Sequence, residues 1–98
     1  MYKEKICIYN RVLAVVIEEF GISEQPLFYS NESDCVQART ALVVGLTRRG
    51  FSDKDIAELT GKMRRCSVCA IRNRYKDDTA EWSVRRCIEA INNELKRT

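Results

Sequence analysis

The chain has 98 residues, enough for one small core but not for a second lobe or a large catalytic cleft. Its 45% apolar and 32% charged residues, with four glycines and one proline, exclude a collagen-like, low-complexity or disordered chain. Histidine is absent, which removes histidine-dependent triads, Cys2His2 fingers and histidine general bases, and a non-enzymatic protein is expected.

The longest apolar stretch, Val12 to Ile17, falls far short of the roughly 20 residues of a membrane span. Met1 to Lys5 is not followed by the apolar region of a signal peptide, so a cytoplasmic protein with no membrane association is expected. Five cysteines without a secretion signal, an odd number, point to reduced thiols.

The net charge of +3 is unevenly spread. Residues 1–33 carry three basic and five acidic side chains, while 34–60 and 76–98 are each balanced. Residues 61–75 hold Lys62, Arg64, Arg65, Arg72 and Arg74 with no acid. Such a local excess suggests a polyanion footprint, because each cation near a phosphate releases condensed counterions. A solvated helix face without acids is the plainer alternative.

In chain order, Ile6, Tyr9, Leu13, Val16, Ile17 and Phe20 recur at helical spacing and Gly21 supplies a stop, which predicts a first helix. Residues 22–33 contain Pro26 and read as a loop, with room for a helical turn, whose Leu27, Phe28 and Tyr29 dock on the core. A second helix is expected from a Ser33 or Asp34 cap, with Cys35, Ala38, Leu42 and Leu46 inward, ending at Arg48, Arg49 and Gly50. Ser52 and Asp55 have capping-box spacing before Ile56, Ala57 and Leu59, and this third helix ends at Thr60-Gly61. After a turn through Lys62 and Met63, Val68, Ala70, Ile71 and Tyr75 mark a basic amphipathic fourth helix. Asp77, Asp78 and Thr79 are expected to cap a last helix carrying Val84, Ile88, Ile91 and Leu95, with Trp82 anchored in the core. No segment alternates like a strand. The reading is an all-α, compact helical bundle of about five helices, one domain over 1–98.

The stretch from Gly50 to Ile71 has the pattern of a helix-turn-helix. Ala57 is small where helices cross, Gly61 permits the turn, and Val68 and Ile71 bury the second helix. In that motif the second helix enters the major groove with its N-terminal residues at base edges. Here those are Arg64, Arg65, Cys66 and Ser67, and arginine pairs bidentately with guanine. Lys62, Arg72 and Arg74 would contact phosphates, with Arg39, Arg48 and Arg49 extending the track.

The layout of a first helix, an apolar loop, a long helix with Ala38-Arg39, the helix-turn-helix and a closing helix resembles the C-terminal DNA-binding domain of the replication initiator DnaA, in the Trp-repressor-like group. The resemblance runs from about Ile8 to Leu95. It is strongest from Ile56 to Val68, where Ile56, Gly61 and Val68 keep the family's spacing. Met63 to Ser67 replace the family's Arg-Asp-His-Thr-Thr run, and only Ser67 is chemically close to its counterpart. The resemblance implies duplex DNA binding by a small regulator of bacterial type, without an ATPase. A ligand-gated dimer is the group's other implication, and no residue in the sequence marks a ligand pocket.

Cys66 and Cys69 have the spacing of a zinc or a thioredoxin-like redox pair, but Cys7, Cys35 and Cys87 are isolated and no parallel sheet is predicted beside them. Buried or partly buried inert thiols are therefore expected, with neither a metal nor a cofactor and with oxidant response of the two helix cysteines left open. Ser67 lacks a base, and Asp53, Asp55 and Glu58 are explained by helix capping and the helix dipole. The expected partner is double-stranded DNA. One such domain would read about four to five base pairs, so specificity would require a homodimer or a partner protein. The competing reading is a protein-interaction module whose basic helix meets an acidic partner.

Overall fold

The computed structural model describes residues 2–96; Met1, Arg97 and Thr98 of the 1–98 span lie outside them. Among the described residues there are six helices and no strand: α1 (Tyr2–Phe20), α2 (Glu24–Tyr29), α3 (Ser33–Thr47), α4 (Asp53–Thr60), α5 (Arg65–Arg74) and α6 (Trp82–Lys96). None is long and apolar enough to cross a membrane.

Helix α1 buries Tyr9, Val12, Leu13 and Val16, one face at three-and-four spacing. It stops at Gly21, whose φ of 63° is left-handed, with the Gly21 amide donating to the Ile17 carbonyl. The expected loop contains the extra helix α2. Pro26 fits its first turn because a proline there forfeits no helical hydrogen bond. Leu27 and Phe28 dock as expected, whereas Tyr29 is exposed because it lies off their face.

Helix α3 is central, packing on α1, α2, α4, α5 and α6, while α1 and α6 also pack on each other. Residues 41–46 of α3 are therefore all buried. Its cap is Glu32, without a side-chain cap bond, rather than Ser33 or Asp34. Gly45 marks a close helix approach, since a Cβ there would lie 2.8 Å from Ile91 Cδ1 of α6. One hydrophobic cluster takes residues from all six helices, including Leu27, Leu42, Ile56, Val68 and Ile91.

Helix α4 carries the expected capping box, Ser52 Oγ accepting from the Asp55 amide and the Asp55 carboxylate from the Ser52 amide. Helix α6 buries Val84, Ile88, Ile91 and Leu95 as expected. Two expectations at its start fail. It begins at Trp82, so residues 77–79 form a preceding turn and do not cap it. Trp82 is 66% exposed, with the Arg86 guanidinium 5.2 Å from its ring centroid, and is not a core anchor. Two residues before Val84 is about 200° around a helix, nearly opposite the buried stripe.

Candidate nucleic-acid interface

Helices α4 and α5 pack together and are joined by residues 61–64. Gly61 takes a left-handed φ of 64°, and its amide donates to the Ala57 carbonyl. Thr60, which the sequence reading passed over, is buried and fastens the turn from inside. Its hydroxyl donates to the Ala57 carbonyl at 3.1 Å and accepts from the Met63 amide at 3.2 Å. Buried Val68 seats α5 in the core and leaves Arg64, Arg65, Cys66 and Ser67 exposed together at its N-terminal end.

That end differs from the start of α4. Arg64 is the cap residue with extended backbone, its side chain makes no cap bond, and no acid lies in the first turn. The first amides are unpaired along the helix and carry partial positive charge, which two arginines reinforce rather than offset. Neither the Arg64 nor the Arg65 side chain makes a hydrogen bond or ion pair among the described residues; the Arg65 charge acts only at longer range, on Asp53. A local rule broken this way stabilises nothing within the chain, and such breaches concentrate at functional sites.

The expected phosphate contacts divide. Arg74 and Arg49 are exposed and without an ion pair among the described residues. Lys62 bonds Glu24 of α2 at 3.2 Å and lies 5.2 Å from the Phe28 ring centroid. Arg48 reaches Asp77 at 2.7 Å, beside Tyr75. Arg39 Nη2 donates to the Ser30 carbonyl, while its buried Nε has no acceptor. Arg72 turns back onto α4, its Nε and Nη2 each 2.9 Å from an oxygen of Asp53. It joins α4 to α5, a role that nineteen residues of separation hid from the sequence reading.

The Arg72 hydrogen bonds hold the Asp53 carboxyl below its usual range. A carboxyl depressed in the folded state stabilises fully above its unfolded pKa of about 3.9, and that contribution fades as pH falls through the folded value. Urea unfolding of the protein and of Asp53→Asn should therefore differ at pH 6 and converge as acid is added below about pH 4. A difference constant with pH would show that the pair adds no stability.

Arg39 and Arg74 both line a groove of about 490 Å3 between α3, α5, the 76–81 segment and α6. Val36, Ala70, Ile71 and Val84 give it apolar walls, and Ser67 and Lys76 also line it. Sequence spacing had marked no pocket. Val36, 45% exposed, was the available signal: an apolar residue off the buried stripe of α3.

No family model, curated protein or solved structure matches the chain.

No cluster of three or more metal-ligating side chains occurs among the described residues. All five cysteines are free thiols, with Cys66 exposed, Cys69 half-buried, and Cys35 and Cys87 buried.

Proposed function

We propose that the chain is a duplex DNA-binding domain, a cytoplasmic regulator that lays the N-terminal half of α5 in the major groove. The observation that carries this reading is the pair of unpartnered arginines at the uncapped start of a helix seated from behind by Val68. Arg64 and Arg65 present guanidinium forks to guanine edges, with Cys66 and Ser67 beside them. Arg74 and Arg49 contact phosphates directly. Lys62 and Arg48 join them by exchanging exposed ion-pair partners, which costs little, and Arg39 by giving up its part-buried bond to the Ser30 carbonyl. Arg72 positions α5 through Asp53 rather than touching DNA. The order α4, turn, α5 is that of a helix-turn-helix, and the likeness to the DnaA C-terminal domain favours the same use of it.

A second reading has its own support in the groove, whose apolar walls and basic Arg39, Arg74 and Lys76 suit an acidic, partly apolar protein segment. Fluorescence anisotropy of the protein with a mixed-sequence duplex, from about 50 to 200 mM salt, separates the two. Three to five phosphates neutralised predict log affinity falling with log salt at a slope of about −3 to −5. No binding at the lowest salt would displace the duplex reading in favour of the protein partner.

A further inference from the structure

Cys66 and Cys69 lie one turn apart near the start of α5. We propose that they form a reactive dithiol that peroxides close to an intrahelical disulfide, and that closure withdraws the first turn of α5 from DNA. The effect on DNA rests on the duplex reading above; the dithiol chemistry stands without it.

Placement singles out this pair. Residues three apart on an α-helix have Cα atoms about 5 Å apart. Disulfides span Cα separations of about 4.4–6.8 Å. Cys35 and Cys87 are buried, burial pushing the Cys87 thiol up to about 12, and Cys7 is on α1. The surroundings of the pair are polar and cationic. Cys66 is exposed in an uncapped first turn beside two arginines, where a helix end attracts negative charge. Cys69 Sγ accepts from Asn73 Nδ2 at 3.3 Å and from Arg72 Nη2 at 3.6 Å, the latter fixed by Asp53.

In the first step the Cys66 thiolate attacks a peroxide oxygen and the O–O bond breaks. Cys66 becomes a sulfenic acid, and with hydrogen peroxide the departing hydroxide takes up the proton Cys66 had released. The Cys69 thiolate then attacks the Cys66 sulfur, forming the S–S bond and breaking S–O. The second hydroxide leaves as water with the proton from Cys69. Two thiols lose two electrons and two protons, and one hydrogen peroxide is reduced to two waters.

Closure strains the helix in a particular place. Side chains three apart on a helix hold their Cβ atoms about 5–6 Å apart. A disulfide needs about 3.5–4.5 Å, so the turn contracts by roughly 1 Å. Val68 is fixed in the core between the two thiols, and no capping side chain restrains the other end. The contraction therefore falls on the turn carrying Arg65 and Ser67.

The test treats the reduced full chain with hydrogen peroxide and reads two independent signals. Cleavage after Arg65 and Arg72 releases residues 66–72 as one peptide containing both thiols. After oxidation that peptide should be lighter by two hydrogens and resist alkylation until reduced. In Cys69→Ser the link should be absent, with Cys66 trapped by dimedone as sulfenic acid; Cys7→Ser should leave it intact. Both thiols remaining alkylatable, or a bond to Cys7 or between chains, would overturn the dithiol assignment. The second signal is duplex affinity, expected to fall at least about tenfold on oxidation, as for a lost bidentate base contact, and to return with dithiothreitol. A disulfide with unchanged affinity would overturn the coupling. Failure of the reduced chain to bind any duplex would overturn the DNA reading and the coupling together, while the peptide mass still decides the chemistry.

Discussion

Val68→Asp is expected to destabilise the fold by about 3–5 kcal/mol, the usual cost of an uncompensated buried charge. Val68 is fully buried and is the buried residue of α5, in a cluster otherwise formed by residues such as Leu42, Leu46 and Ile56. A carboxylate there must either take up a proton or pull α5 out of its seat. Domains of this size hold about 5–15 kcal/mol in total, so the loss should be evident as a lower urea midpoint by circular dichroism. Val68→Ala, which only leaves a cavity, should cost less. The pair of variants separates anchoring from charge: an Asp variant as stable as wild type would mean that α5 does not depend on this contact. Duplex binding should fail in Val68→Asp although Arg64 and Arg65 are untouched, because their placement depends on the seat behind them.

The parts of this arrangement written in short-range chemistry were legible in the sequence. Ser52 and Asp55 bond each other across three residues, Gly61 ends its helix by adopting a positive φ, and Val84, Ile88, Ile91 and Leu95 face one side of α6; each follows from local spacing. Central α3 was harder to read. A helix contacted by five others buries residues all round, so its Cys35, Ala38, Leu42 and Leu46 stripe understated a buried run that includes Ala41, Val43 and Val44. Trp82 misled because the apolar positions of α6 continue from it in sequence while its helical phase turns it away from them, and α2 was too short for periodicity to define. Of the candidate site, the exposed Arg64 to Ser67 group followed from the phase of Val68. The partners of the other cations did not, since Arg72 with Asp53, Lys62 with Glu24 and Arg48 with Asp77 are made by tertiary packing. Those pairings change the expected interface. They leave the unpartnered positive charge at the two ends of α5 and at Arg49 instead of spread along the whole basic stretch.

Arg65→Ala is expected to weaken binding at a preferred duplex by about 1–3 kcal/mol, roughly 5- to 150-fold, with smaller losses on unrelated sequences. The preferred duplex is obtained by selecting a random-sequence pool on the wild-type protein, and anisotropy at one fixed salt concentration reads the losses. Arg65 opens α5 with a side chain that has no hydrogen-bonded partner among the described residues, so its removal disturbs little within the fold and the lost affinity reports on the interface. Lys62 sits in the preceding turn, within reach of Glu24 and above Phe28. As a phosphate contact it carries no sequence information, so Lys62→Ala should weaken all duplexes about equally and flatten the salt slope by about one. Arg72→Ala should behave differently again, lowering the urea midpoint as well as the affinity, because it releases Asp53 and the α4–α5 junction. Equal losses on every sequence for Arg65→Ala and Lys62→Ala would remove base reading and leave α5 as a purely electrostatic surface. A loss for Arg65→Ala that is larger at the preferred site than on unrelated sequences would identify the start of α5 as the part of this chain that reads sequence.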